Sequence, residues 1–333
     1  MTFCMQRYII FCILCLFVLA CGKKRCAVRS EIAQVPLKLN YSALSSSFFS
    51  VSSEDSMQAW LQSRYRFMQP YYASEWSNSV ALAQALFQVI QHPSMDTVYT
   101  EVQQSFDQDN LRRAFMDAFK HVRFYFKDFT VPEIATFTSG LYRDIMLTDS
   151  LWLISLDWFI GTQATYRPLQ VPGYILERYT PAHVLPACML WLSIAFSQND
   201  VGDRTLLADM IAAGKSIAFA RSVLPCTPIH TILGYNQAQY QDICTHEAVI
   251  WSYFTHNKLL YETSPLQKRK FMDERPGIPE IGPRCPGRIG RWLGWRIIQS
   301  YMSHHSNISI SEIMRSKDIQ KLLKESRYAP KAS

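Results

Sequence analysis

The sequence predicts an α+β protein, a helix-rich single domain with one small inserted β-sheet. From about residue 54 onward, apolar residues recur at spacings of three and four, which is typical of helices that bury one face. The pattern changes only at residues 134–138, 144–148 and 151–156, three short runs rich in strand-forming residues and separated by turn residues. Long helical stretches around one group of strands favour the α+β class.

The helices are predicted in two groups, one on each side of the strand region. The first group covers apolar stripes at residues 57–68, 80–90 and 111–126, the second of which ends at His92-Pro93. The second group is expected at residues 181–196, 203–221, 236–261, 287–302 and 310–325. No internal repeat is visible, so one domain is expected over residues 54–333.

The first twenty residues have the pattern of an export signal. Arg7 is followed by an apolar stretch from Tyr8 to Ala20, which is shorter than a membrane span requires. Val18-Leu19-Ala20-Cys21 resembles the lipobox of bacterial lipoproteins, which predicts a signal peptide over residues 1–20 and fatty acyl chains such as palmitate on Cys21. The alternative is an uncleaved anchor helix, which would also hold the protein at the membrane.

Residues 21–53 are expected to form a flexible linker between the membrane and the domain. This segment is aperiodic and contains Ser45-Ser46-Ser47 and Ser52-Ser53. Its first residues include Lys23, Lys24 and Arg25, which suit contact with anionic lipid headgroups. Acidic residues commonly follow the lipidated cysteine of surface-exported lipoproteins, so the basic segment favours a position facing the periplasm.

The composition is that of a globular protein with a full core, because 48% of the residues are hydrophobic and 18% are charged. The formal net charge of +7 is modest. Together with export, it argues against nucleic acid as a partner. No cofactor is predicted.

Two stretches approach catalytic motifs without completing them. His246-Glu247 begins like the zinc motif H-E-x-x-H, but Ile250 stands where the second histidine is required. Gly214-Lys215 ends like a phosphate-binding loop, but Asp209 replaces its first glycine and the helical pattern continues through it. No catalytic or metal-ligating residue is therefore predicted.

Several stretches together resemble the gliding-motility lipoprotein family known as GldB. They are residues 151–161, 206–215, 247–261 and, as the most specific stretch, 286–302. The resemblance covers about residues 55–330. It implies a lipid-anchored protein of the cell envelope whose partners are components of the gliding machinery or proteins linked to type IX secretion.

The resemblance also implies a distant similarity to zincin-type metallopeptidases that lack their metal motif. His183-Val184-Leu185-Pro186-Ala187 would occupy the first motif without its glutamate and second histidine. Ala213 would replace the glutamate of the later helix. A zincin-like shell of this kind would bind a ligand rather than cut it.

Two functions of different classes follow. The first is a non-catalytic docking protein, with a partner surface expected at Arg288, Arg291, Trp292 and Trp295, because tryptophan and arginine dominate interface energetics. The alternative is an envelope metallo-hydrolase or peptidase with an atypical site built from His183, His230, His246 and Glu247. Binding of envelope glycans is a third class, but no spacing of aromatic residues supports it.

Overall fold

The computed structural model describes residues 29–331. The first half of this range forms seven α-helices and four strands, in the order α1 Ser30–Ala33, β1 Tyr41–Ala43, α2 Ser45–Phe49, α3 Glu54–Ser63, α4 Tyr65–Tyr71, α5 Ser79–Gln91, α6 Pro93–Ser105, α7 Gln108–Tyr125, β2 Glu133–Phe137, β3 Ile145–Leu147 and β4 Leu151–Ser155. The second half is helical, with α8 Gly173–Leu176, α9 Val184–Phe196, α10 Leu206–Val223, α11 Ile229–Leu233, α12 Gln237–Thr245, α13 Glu247–His256, α14 Pro265–Met272, α15 Ile289–His304, α16 Ile310–Arg315 and α17 Ile319–Ser326. The helix-rich α+β prediction is confirmed.

The four strands form one mixed sheet in the order β1-β2-β4-β3. β2 lies parallel to both β1 and β4, with Ile134 opposite Trp152, while β3 pairs antiparallel with β4. Side chains alternate between the two faces of a strand. Trp152 therefore packs into one hydrophobic core, and the next residue, Leu153, packs into the other.

Each face of the sheet is covered by helices. The smaller core lies under α2–α5 and includes Phe48, Trp60 and Phe137. The larger core lies under α7, α9, α10 and α15 and includes Phe119. Both faces are buried, so the four residues after the first in β2 and in β4 are all buried, including Thr136 and Ser155.

The linker prediction for residues 21–53 is wrong within the described part of that segment. β1 is an edge strand of the sheet, and Ile32 and Phe48 are 2% and 1% exposed. The sheet is consequently not a wholly inserted unit, because its first strand comes from the N-terminal segment. The serines that suggested flexibility have structural roles: Ser53, for example, caps α3 through a reciprocal hydrogen-bond pair with Ser56.

Three predicted helices are each divided. The stripe 57–68 breaks at Arg64, between α3 and α4. The stretch 236–261 breaks between Thr245 and Glu247, where His246 ends α12 and its Nδ1 contacts the Asp242 carbonyl at 2.8 Å. The stretch 310–325 breaks after Arg315. Apolar periodicity continues through these breaks, so it could not reveal them.

The closest helix packing in the larger core is the crossing of α10 and α15. A Cβ atom at Gly214 would overlap the carbonyl group of Gly294, and a Cβ atom at Gly294 would overlap the carbonyl group of Met210. The two backbones thus touch through glycines. At this crossing, the absence of a side chain matters more than the low helix propensity of glycine.

Lys215 follows Gly214 and is 1% exposed. Its Nζ donates to the carbonyl oxygens of Gln198 and Ser316 at 2.6 and 2.9 Å and to Oδ1 of Asn199 at 3.0 Å. The ammonium thus joins α10 to the segment after α9 and to the break after α16. Burial lowers the pKa of Lys215 to about 8.

Among residues 29–331, no helix has the length and apolar character needed to cross a membrane.

Replacing Gly294 by alanine is expected to lower the free energy of unfolding by about 3 kcal/mol or more, because backbone atoms rather than a movable side chain occupy the space of the new methyl group. Denaturant unfolding of Gly294→Ala measures this. Gly282→Ala is the matched control, since a Cβ there meets nothing within 4 Å. Equal stability of the two variants would contradict the close crossing.

Replacing Lys215 by methionine is expected to lower the free energy of unfolding by about 1–3 kcal/mol, because buried carbonyl oxygens lose their donor. The pKa of Lys215 is lowered from 10.5 to about 8, so between these values the folded protein binds fewer protons than the unfolded chain. The contribution of Lys215 to stability therefore rises with pH over that window. Denaturant unfolding from pH 7 to 10.5 should show the deficit of Lys215→Met widening, whereas exposed Lys317→Met should show none. A pH-independent deficit would contradict the assignment.

Candidate functional site

A compact ion cluster lies where the loop after α14 meets α8 and the start of α15. Nη1 of Arg178 donates to the Glu274 carboxylate at 2.9 Å, and Nη2 of Arg178 lies 2.8 Å from its other oxygen. Nε of Arg288 lies 3.2 Å from the same carboxylate. One glutamate therefore orients both arginines, Arg178 through the two-point contact that guanidinium groups favour and Arg288 through a single contact.

Arg288 is the most firmly held member of the cluster. Its Nη2 donates to the carbonyl oxygen of Gly234 at 2.9 Å, and its guanidinium lies 5.3 Å from the centre of the Tyr235 ring. The side chain is 11% exposed. Its backbone has a φ of 60° and forms the N-cap of α15, so the direction of the side chain is set by the start of that helix.

Gly234 and Gly287 make room for this arrangement. Gly234 ends α11 with a φ of 68°, and a Cβ atom there would lie 2.6 Å from Cδ of Arg178. A Cβ atom at Gly287 would overlap the carbonyl oxygen of Arg275. Both glycines therefore allow neighbouring backbone or arginine atoms to approach closely.

His183 lies beside the arginines, immediately before α9. Its Nδ1 lies 2.8 Å from Oγ1 of Thr180, whereas its Nε2 is buried and has no hydrogen-bond partner. Burial, with further contributions from the positive charges of Arg178 and Arg288, lowers the pKa of His183 to about 4. His183 is therefore a neutral imidazole near pH 7 with one unsatisfied nitrogen.

Two recesses meet at this cluster. The polar recess has a volume of about 290 Å³ and includes Glu177, His230 and Arg275. The apolar recess has a volume of about 350 Å³. Its apolar lining comprises Ile145, Phe159, Ile175, Tyr179, Pro186, Ala187, Leu190 and Ile232. The two recesses share Arg178, His183, Thr231, Gly234, Glu274 and Arg288.

The charges of the polar recess do not cancel. Arg178, Arg275 and Arg288 face two carboxylates there, those of Glu177 and Glu274, which leaves one excess positive charge. The apolar recess adds a third carboxylate, Asp144, which accepts a hydrogen bond from the Tyr179 hydroxyl at 2.6 Å. Arginines already oriented by a glutamate can bind a further anion through their remaining N–H groups. The arrangement suits binding of a ligand that is partly apolar and carries one negative charge.

The expected partner surface at Arg288, Arg291, Trp292 and Trp295 is wrong for both tryptophans. Trp292 is 0% exposed and Trp295 is 5% exposed, because α15 packs into the larger core. Nε of Arg291 donates to the carbonyl oxygen of Met272 at 2.7 Å. Among the four residues, Arg288 alone lines both recesses.

The structure does not bring together the four residues of the alternative metal site. His183 and His230 line the polar recess together, but His246 and Glu247 lie elsewhere. Glu247 accepts hydrogen bonds from Arg296 at 2.6 and 2.9 Å and from the Tyr328 hydroxyl at 2.6 Å. Across residues 29–331, no group of three or more histidine, cysteine, aspartate or glutamate side chains is placed to hold a metal ion.

Sequence analysis did not identify Arg178 or Glu274. They are 96 positions apart, and each lies in a loop without apolar periodicity. Arg288 was predicted only as a member of the tryptophan- and arginine-rich partner surface. The proposed lipidation residue, Cys21, lies outside the described residues.

The family model for gliding motility protein GldB matches residues 25–330. The chain belongs to the GldB family. No curated protein and no solved structure matches it at a significant level. The GldB match includes α8, α11 and α15, so the ion cluster lies within the matched part of the chain.

Proposed function

We propose that this GldB-family chain is a lipid-anchored docking component of the gliding apparatus, facing the periplasm and without catalytic activity of its own. Membership of the family associates it with gliding motility. Support for lipid anchoring comes from the apolar stretch that ends at Ala20 and from Cys21 directly after it. The basic residues Lys23, Lys24 and Arg25 support contact with an anionic membrane surface.

The observation that carries the docking proposal is the meeting of the polar and apolar recesses at Arg288. Binding sites for peptides and small molecules combine apolar walls with a few fixed polar groups. Here Glu274 and the Gly234 carbonyl fix the guanidinium, and the apolar recess begins beside it. Groups held this rigidly lose little freedom when a partner binds. Envelope proteins of the gliding machinery, including those linked to type IX secretion, are the proposed partners.

Replacing Cys21 by serine is expected to release the protein from membranes, because acyl chains attached to the cysteine supply the anchor. Growth of the host with labelled palmitate, followed by membrane fractionation, measures both labelling and location. Cys26→Ser is the matched control and should keep the label and the membrane location. Retention of label in Cys21→Ser would contradict the assignment. Membrane retention without label would favour an uncleaved anchor helix.

Filling the apolar recess is expected to abolish partner capture. Ala187 lines that recess, so Ala187→Trp is expected to place an indole there, and it changes no charged residue of the ion cluster. The full-length lipidated protein is crosslinked mildly in its own host, purified and analysed by mass spectrometry. Envelope motility or secretion proteins should copurify with the wild type and be reduced at least about tenfold in the variant.

The matched control for this experiment is Ala73→Trp, at an exposed position after α4. It should capture partners as the wild type does. Equal capture by Ala187→Trp and the wild type would remove the recess as the docking site. Stoichiometric zinc in the purified protein without any stable partner would contradict the non-catalytic proposal.

A further inference from the structure

We propose that the junction of the two recesses binds a peptide carboxylate, with the carboxylate on Arg178, Arg288 and His183 and an adjacent apolar side chain in the apolar recess. This inference rests on the proposed docking function and specifies the chemistry of the partner. The carboxylate could be the C-terminus of the partner chain or an acidic side chain next to a large apolar residue. Both sources present the same group, and they are separated experimentally below.

The two arginines keep donors available for such a group. Arg178 uses Nη1 and Nη2 on Glu274, and its Nε has no acceptor among the described residues. Arg288 uses Nε on Glu274 and Nη2 on the carbonyl oxygen of Gly234, which leaves Nη1 without an acceptor in the same part of the chain. Since both side chains are already held in place, a ligand carboxylate meets donors in fixed positions.

His183 provides a third contact and a reason for ligand binding. A buried polar atom without a hydrogen bond is costly, and such atoms are rare in folded proteins. The Thr180 hydroxyl can donate to Nδ1 of His183, which places the proton of the neutral ring on Nε2. Nε2–H is then a donor without a partner, and a carboxylate oxygen would satisfy it.

The charges of the site favour a monoanion over a phosphate group. Three arginines face two glutamates in the polar recess, and Asp144 adds a third carboxylate in the adjoining apolar recess, so the site has at most one positive charge to spare for a ligand. Glu177 and Glu274 would also repel a dianion at short range. Carboxylate is the monoanion that proteins present most often, and its two oxygens match the guanidinium fork.

The apolar recess determines which kind of ligand side chain lies next to the bound carboxylate. It shares Arg178, His183 and Arg288 with the polar recess, so a carboxylate bound there is one side-chain length from its entrance. Its walls include the rings of Phe159 and Tyr179 and the aliphatic side chains of Ile175 and Leu190. A leucine-sized side chain would bury most of its surface against these residues.

The test uses small probes and the folded protein without any partner. N-acetyl-leucine presents a carboxylate beside an apolar side chain, and N-acetyl-leucinamide differs only in lacking the charge. NMR of the protein labelled with ¹⁵N in its imidazole rings follows His183 during titration with each probe to about 20 mM. N-acetyl-leucine is expected to shift the His183 Nε2 resonance saturably and to raise the pKa of His183 above its value of about 4.

The amide is expected to bind at least about tenfold more weakly, because a hydrogen bond to a charged group is lost. Inorganic phosphate at equal concentration should not compete. N-acetyl-aspartyl-leucinamide, which carries its carboxylate on a side chain, separates the two sources. Tighter binding of this probe assigns the site to an acidic side chain, and tighter binding of N-acetyl-leucine assigns it to a chain terminus.

The variants distinguish this site from other arginine–glutamate pairs. Arg288→Gln should abolish the shift, whereas Arg296→Gln should not, although Arg296 also forms a two-point contact with a glutamate. Ala187→Trp blocks the apolar recess while leaving every ionic group in place, so it tests the proposal even if Arg288→Gln unfolds.

Absence of any shift with both carboxylate probes, or equal binding of acid and amide, would overturn the carboxylate assignment. The docking function would still stand if the wild type captured envelope partners and Ala187→Trp did not. Tighter binding of phosphate than of N-acetyl-leucine would likewise overturn the assignment, because it would show a site for a dianion.

Discussion

The structure depends on the crossing of α10 and α15, where two helix backbones touch. Gly214 and Gly294 lie at the contact, and any side chain on either would overlap a backbone carbonyl group of the other helix. The crossing fixes the position of α15 along its whole length, including its first turn. Since Arg288 is the N-cap of α15, the same contact that holds the larger core also places the guanidinium of the candidate site.

Lys215 extends this constraint to the periphery of the core. It follows Gly214 on α10 and binds carbonyl oxygens of Gln198 and Ser316, so its position is fixed by the crossing. The charged lysine is hydrogen-bonded to neutral acceptors, but burial removes its hydration. The loss of hydration destabilises the charged form and lowers the pKa of Lys215. Gly214-Lys215 therefore resembles the end of a phosphate-binding loop for structural reasons. Gly214 is needed for close helix packing, and Lys215 is needed for a buried contact.

The predictable part of the fold is the part encoded by local periodicity. β2 and β4 were predicted as short runs of strand-forming residues between turn residues, and the long helices were predicted from their apolar stripes. β1 was missed because Tyr41–Ala43 has three residues and only pairing with β2 makes it a strand. Trp292 and Trp295 were misplaced for a related reason: α15 is surrounded by other elements, so its sequence has no clear exposed face.

The candidate site was less predictable, because its members come together only through tertiary contacts. Arg178, Glu274 and Gly234 lie in three separate connections, and a single sequence contains no pattern that joins them. Only Arg288 was predicted, as part of a surface rich in tryptophan and arginine. The sequence did exclude two kinds of site. His246-Glu247 lacks the spacing that metal binding requires, and Gly214-Lys215 lacks the spacing that phosphate binding requires.

The corrected linker changes where a docking site can act. The sequence suggested 33 flexible residues between Cys21 and the domain, but the described structure already includes Arg29 and continues into α1. A lipid on Cys21 would then be joined to the folded chain by about eight residues, which reach at most about 28 Å. A domain anchored in this way would sample a thin layer above the membrane, and a partner peptide would have to enter that layer to reach Arg288. Anchoring would thereby raise the local concentration of membrane-bound partners and disfavour soluble ones, so a shallow, modest-affinity carboxylate site could suffice for docking.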